Sequence, residues 1–256
     1  MNKKIHLFLL FILIHCLSNT TEKPIILWDL HEVLLEQKNP FWAIVSYPHL
    51  SNVIKYFSLS LFYEIVPLAI SNLWSSVSSE EYIHLAKKHN NPYLKELILQ
   101  IANAQHPKKY MIPLLKELNA LGYENHIGSN IGPSSYYALI NKNEYPQLAS
   151  IFNIMNLKTS QISNYIDDNI ILKKPYDEYY LNYLTKNNID LKKQPVIFID
   201  DTRANVITAK KLGFDAILFK HPYQLRNELI ARGIPLTPPP YTFSNQSQSF
   251  KLLGGL

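Results

Sequence analysis

Cysteine is almost absent: Cys16 is the only one in 256 residues. A chain cut after Ser18 would hold none, which excludes disulfides and thiol chemistry and leaves packing as the source of stability. No long apolar run is present either. Ile5 to Leu17, broken only by histidines, covers about 13 residues where a bilayer-spanning helix needs about 20. Charge of one sign is also scarce: the formal net charge is +5, with 18% charged residues. The pairs Lys87-Lys88, Lys108-Lys109, Lys192-Lys193 and Lys210-Lys211 are dispersed, as on solvated helix faces, so a nucleic-acid binder is not indicated. There is no Walker sequence and no G-x-G-x-x-G, which removes support for nucleotide-cofactor binding. Gly128-Ser129-Asn130-Ile131-Gly132 is not a nucleophile elbow, because its serine directly follows the first glycine. There is no internal repeat.

What is present begins with a leader. Lys3 and Lys4 precede the apolar run, and the polar Ser18-Asn19-Thr20-Thr21 follows it with a small residue placed for cleavage. This layout predicts a signal peptide over 1–18 and an exported protein, periplasmic or secreted; tethering by an uncleaved N-terminus is the alternative. The residues before Cys16 lack the small side chains of a lipid-attachment site.

The rest of the chain is 47% hydrophobic overall and long enough for one substantial core with a small appended domain. Pro24 to Trp28 is a continuous apolar run, as in a buried parallel strand, and ends at Asp29. From about Asn39 to Gln105 the pattern is helical: Ser78-Ser79-Glu80-Glu81 has capping-box spacing and Pro92 stands as a first-turn proline. A helix over Lys109 to Leu121, closed by Gly122, leads to a strand from Asn125 to Gly128 that stops at Ser129. A helix from Pro175 to Leu184, opened by its proline, precedes the apolar strand Pro195 to Ile199, which ends at Asp200-Asp201. A helix near Val206 to Leu212, a strand at Ala216 to Phe219 and a helix near Tyr223 to Ala231 complete an alternation that predicts an α/β fold with a doubly wound, mostly parallel sheet. The aperiodic segment 235–256 reads as a flexible tail.

In such a sheet, ligands bind beyond the carboxyl ends of the strands, so Asp29, Ser129, Asp200 and Asp201 should share one crevice. Carboxylates gathered there repel one another, and hard oxygen donors suit Mg²⁺.

Four segments, in order, resemble motifs of the haloacid dehalogenase (HAD) superfamily: Trp28-Asp29-Leu30-His31-Glu32-Val33-Leu34, Gly128-Ser129-Asn130, Lys174-Pro175, and Ile199-Asp200-Asp201-Thr202-Arg203-Ala204-Asn205-Val206. The resemblance runs from about Pro24 to Gly233. It implies a core domain over 24–38 and 106–234 with a helical cap inserted at 39–105. It also implies a Mg²⁺-dependent phosphatase acting on a small phosphorylated metabolite. Asp29 would be the nucleophile, forming an aspartyl-phosphate; Ser129, Asn130 and Lys174 would bind phosphate. Asp29, Asp200, Asp201 and the backbone carbonyl of His31 would hold the metal.

The departure is His31, which occupies the position of a proton-transferring aspartate, with Glu32 where glycine is usual. Histidine titrates in the right range for acid–base work, and flanking carboxylates would favour its protonated form. Three readings stay open for it: catalytic acid and base, occupant of an inactive site, or ligand of a softer metal. For the chain, the alternatives to a phosphatase are a weak or inactive HAD-fold protein that binds an anion or a partner protein, and a HAD hydrolase of other chemistry such as dehalogenation. The sequence leaves substrate and oligomeric state undetermined.

Overall fold

The structure is a computed structural model that describes residues 22–37, 44–72, 78–140, 146–165 and 171–238. The expected signal peptide and residues 239–256 of the expected tail lie outside the described residues. Among the described residues no helix is long and apolar enough to cross a membrane.

Chain order begins with strands β1 (Ile25–Trp28) and β2 (Leu35–Gln37), then helices α1 (Leu50–Lys55), α2 (Leu59–Asn72), α3 (Ser79–Lys88) and α4 (Pro92–Asn103). There follow β3 (Gln105–Pro107), α5 (Met111–Ala120), β4 (Asn125–Ser129), α6 (Pro133–Ile140), α7 (Pro146–Phe152) and the short strands β5 (Gln161–Ile162), β6 (Asn164–Tyr165) and β7 (Ile171–Leu172). The last elements are α8 (Asp177–Lys186), β8 (Val196–Asp200), α9 (Arg203–Lys211), β9 (Asp215–Leu218) and α10 (Pro222–Ala231).

Five strands form one parallel sheet in the order β5-β4-β1-β8-β9, so the chain winds outward in one direction from β1 and then in the other. Alternation along β1 explains why its whole run is apolar. Ile26 and Trp28 enter a core with α5, α6, α7 and α10, through Leu114, Leu118, Tyr136, Ile151 and Leu225. Ile25 and Leu27 enter a second core with α8 and α9, through Tyr179, Tyr183, Val206 and Ala209. The sheet is therefore covered on both faces and doubly wound.

Helices α1 to α4 lie between β2 and β3, which pair antiparallel, and close on an apolar cluster of their own that includes Val53, Leu61, Leu85 and Leu97. The capping box forms as its spacing predicts: Ser78 accepts from the Glu80 N–H and the Glu81 carboxylate accepts from the Ser78 N–H. Asn91 accepts from the Leu94 N–H ahead of Pro92. The N-terminus of α3 rests on the loop after β4, where the Gly132 N–H donates to Ser79 and the Ser134 N–H to Glu80.

One boundary differs from expectation. Pro175 does not open α8, which begins at Asp177 after the cap residue Tyr176; the Lys174-Pro175 bond is cis. Asn130 fixes this segment: its Oδ1 accepts from the Lys174 N–H at 2.7 Å and its Nδ2 donates to the Lys174 carbonyl at 2.9 Å. The main chain at Lys174 thus belongs to the site, and the helix starts once it is clear of it.

Candidate active site

β4, β1 and β8 are neighbours, so their carboxyl ends place Ser129, Asp29 and Asp200 side by side. The register sets the level: Trp28 pairs with Ile127 and with Ile199, and the Asp29 N–H donates to the Ile199 carbonyl at 2.9 Å. Lys174 comes in from the β7–α8 connection with its side chain 1% exposed. Its Nζ lies 2.6 Å from Asp200 Oδ2 and 3.0 Å from Asp29 Oδ1, and donates to the Gly128 carbonyl at 2.8 Å. Burial opposes its charge, but the combined pull of Asp200 and Asp29 outweighs burial and raises its pKa above 10.5, so it stays an ammonium.

Asp200 is fully buried and fully partnered. Besides Lys174 it accepts from the Thr202 N–H at 2.8 Å and, on both oxygens, from Asn205 Nδ2 at 3.0 Å. Burial pushes its pKa up to about 6, with Lys174 pulling the other way, which leaves it ionised at neutral pH. Asp201 is exposed, and its pKa is raised first by the protein crowded around it and then by the charge of Asp29. Asp29 is buried; its Oδ1 accepts from the Leu30 N–H at 2.8 Å, and its Oδ2 makes no hydrogen bond among the described residues.

A divalent cation fits this set. One oxygen from each of Asp29, Asp200 and Asp201 lies within 4.8 Å of the others, and three carboxylates with one ammonium leave negative charge that a hard cation would offset. Of the three, Asp201 is the one whose carboxylate is least tied to protein donors, its single contact being Thr202 Oγ1 at 3.4 Å.

His31 is brought to the same crevice. Its ring has open solvent-accessible surface, yet protein is packed densely around it, and that crowding lowers its pKa below 6.5 against the opposing charges of Asp29, Glu32 and Asp201. This corrects the expectation that flanking carboxylates would favour the protonated ring: desolvation is the larger effect. Nε2 of His31 lies 3.3 Å from Nε2 of Gln105, a buried residue at the start of β3.

Glu32 has φ +54°, so the turn does require the left-handed conformation that glycine adopts freely. Lys108 holds it there, donating to the Glu32 carbonyl at 2.5 Å and to its Oε2 at 2.9 Å. The carboxylate of Glu32 therefore turns to Lys108.

Ser129 is 1% exposed and its Oγ accepts a long bond, 3.4 Å, from the Ile131 N–H. Asn130, expected to touch phosphate, commits its side-chain amide to Lys174 and accepts from Ser163 Oγ at 3.2 Å, so a phosphate contact from this residue falls to its main chain. Asn205, Gln105 and Lys108 were not singled out in the sequence. Asn205 stood within the fourth motif and could have been found from it; Gln105 and Lys108 carry no local signal.

No family model matches the sequence, and no curated protein matches it. Solved structures do. A HAD phosphatase from Thermococcus onnurineus superposes with TM-score 0.55 at 15% identity, covering 80% of this chain and 97% of that one. A predicted HAD-like family hydrolase from Porphyromonas gingivalis superposes with TM-score 0.50 at 15% identity, covering 81% and 97%. A five-stranded parallel sheet wound both ways from β1, with the motif residues gathered at its carboxyl edge, has the fold of the haloacid dehalogenase superfamily.

Proposed function

We propose that this chain is a Mg²⁺-dependent hydrolase of small phosphate monoesters that works through an aspartyl-phosphate on Asp29. The observation that carries the reading is the contact of one buried ammonium, Lys174, with both Asp29 and Asp200 beside a third carboxylate, Asp201. Such a set binds a cation and neutralises a transferring phosphoryl group; a purely structural ion pair has no need of the third carboxylate.

Asp29, Asp200 and Asp201 would hold Mg²⁺, with the carbonyl of His31 as a further donor; when bound, the ion supplies charge neutralisation for the phosphoryl oxygens. Lys174 and Leu30 N–H pin Oδ1 of Asp29, which orients the carboxylate for attack. In the first step a bond forms between the Asp29 carboxylate and phosphorus as the ester P–O bond breaks, and the leaving oxygen takes a proton. In the second, water attacks phosphorus, the Asp29–phosphorus bond breaks, and inorganic phosphate leaves. Ser129 Oγ, with only a long intramolecular bond, is the hydroxyl free to donate to a phosphoryl oxygen. His31, two residues after Asp29, is the group placed to exchange protons with the leaving oxygen and with water. Helices α1 to α4 would act as a cap that excludes bulk water and selects the ester.

A second reading, an anion-binding protein with little or no turnover, is favoured by His31 itself, whose lowered basicity makes it a weaker reservoir of protons than the expected protonated ring. Acid quenching during turnover separates the two. The phosphatase reading expects a phosphate-sized mass increase on the peptide that contains Asp29; binding without that adduct, in a protein that releases no phosphate, supports the second.

A further inference from the structure

A cavity of about 400 Å³ opens away from the carboxylate cluster, between the turn Lys108-Lys109-Tyr110 and the segment Phe219 to Pro222 that joins β9 to α10. Its volume is in the range of small-molecule sites, about 300–1,000 Å³. Its chemistry is one-sided: Lys108, Lys109 and Lys220 line it against a single carboxylate, Glu36. Lys108 is partly matched by Glu32, but the ammonium groups of Lys109 and Lys220 have no ion-pair partner among the described residues. Gathering uncompensated cations around a concave surface raises the local potential, and an anion relieves it.

Two further features point to the same occupant. α10 begins in the cavity wall, so its first N–H groups add partial positive charge there. His221 caps that helix by accepting the Gln224 N–H on Nδ1 at 3.1 Å, which puts the proton of its neutral ring on Nε2 and makes it a donor. The walls are also partly aromatic: Phe219 is buried beneath Lys108, whose Nζ is 5.5 Å from the ring centroid, and Tyr110 is 73% exposed. An inorganic ion alone would leave much of this volume and apolar wall unused.

We propose that this cavity is a second anion site, which takes a dianionic phosphate or carboxylate group carried on a small apolar body. The ligand is either the distal end of a substrate held at Asp29 or a separate molecule. Lys108 serves both the cavity and Glu32, so occupancy bears on the turn that carries Asp29 and His31.

The test uses phenylphosphonate, a dianion on a planar ring that cannot be hydrolysed as an ester, titrated calorimetrically into the full chain with a chelator present. Wild type and Ser129→Ala should bind it equally, whereas Lys109→Met/Lys220→Met should weaken binding by about tenfold or more. Binding lost in Ser129→Ala and kept in the lysine variant would place the ligand in the Asp29 crevice and overturn the proposal, as would no binding to wild type. The single variant Lys220→Met gives the same readout should the double variant fold poorly. On esters that the chain hydrolyses, the arms then separate the sources. If the anion is the substrate's own tail, the lysine variant raises KM only for esters with a second anionic group. If it is a separate molecule, phenylphosphonate changes the rate at saturating ester, and that change disappears in the lysine variant.

Discussion

Lys174 and Asp200 meet at 2.6 Å with essentially no solvent contact for either side chain, and the same ammonium reaches Asp29 at 3.0 Å. The buried lysine is thus shared between the nucleophile and a metal-site carboxylate. Replacing it with Met leaves two carboxylates buried without their cation, and breaking a buried pair from one side costs about 3–5 kcal/mol. Lys174→Met should lose phosphatase activity and also unfold at much lower denaturant concentration. Loss of activity at unchanged stability would show that the pair carries no structural weight.

The two aspartates at the end of β8 should behave differently when mutated. Asp201 is exposed and tied only through Thr202 Oγ1, so Asp201→Asn should weaken Mg²⁺ binding while moving the unfolding midpoint by no more than roughly 0.5 kcal/mol. Asp200→Asn takes the charge from a side chain that serves Lys174, Asn205 and Thr202, and should cost several times as much. Calorimetric Mg²⁺ titration and urea denaturation of both variants check this; equal stability losses would contradict it.

Glu32 holds a left-handed conformation that costs a non-glycine residue about 1 kcal/mol. Its ion pair with Lys108, on a side chain 54% exposed, is worth about 1 kcal/mol or less. Glu32→Gly relieves the first and loses the second, so its stability should stay close to wild type. Glu32→Ala keeps the strain and loses the pair, and should fall below the glycine variant by roughly 1 kcal/mol. Equal stabilities in urea would mean that the turn relaxes when Lys108 lets go.

His126 offers a pH test away from the crevice. It is 1% exposed on β4, and Tyr183 donates to its Nδ1 at 2.8 Å while Nε2 lies 3.1 Å from Glu124. Burial lowers its pKa below 6.5, with Glu124 pulling the other way. As pH falls, the unfolded chain therefore takes up this proton before the folded chain does. The stability tied to the neutral ring is complete above about 6.5 and declines below it. The stability advantage of wild type over His126→Gln should shrink between about pH 7.5 and about pH 5.5. An advantage that grows on acidification would mean that the ring is protonated in the fold and paired with Glu124.

Gly132 touches the N-terminus of α3. A Cβ there would lie 2.5 Å from Glu80 Cβ and 2.9 Å from the Glu80 backbone N, neither of which can swing aside. Gly132→Ala should cost about 1–3 kcal/mol and loosen the helices inserted between β2 and β3 from the loop that carries Ser129. Proteolysis within 44–103 should quicken in this variant, and unchanged cleavage would argue that this contact does not hold them.

The parts of the molecule legible in the sequence are those where a local pattern carries the information. Pro24 to Trp28 and Pro195 to Ile199 read as buried strands because both faces of the sheet are covered, and each ends on the carboxylates that meet Lys174. Strands β2, β3 and β5 to β7 are two or three residues long, too short to show a period, and helices α6 and α7 went unread between two recognisable motifs. The partners that define the site reach far along the chain: Gln105 is 74 residues from His31, and Lys108 is 76 from Glu32. The sequence placed His31 among carboxylates but gave no measure of how much protein crowds its ring, and crowding decides the direction of its titration. Asn130 is a similar case, since its neighbourhood suggests phosphate while its amide is taken by the main chain of Lys174.

The measurement that bears most directly on the central claim is release of inorganic phosphate from a panel of small phosphate esters, with Mg²⁺, by the wild-type chain and by Asp29→Asn. Phosphoryl transfer through Asp29 predicts turnover that stops when Mg²⁺ is chelated and is absent in Asp29→Asn. Equal release by the Asp29→Asn chain, or no release by a folded wild-type chain that binds Mg²⁺, would contradict it.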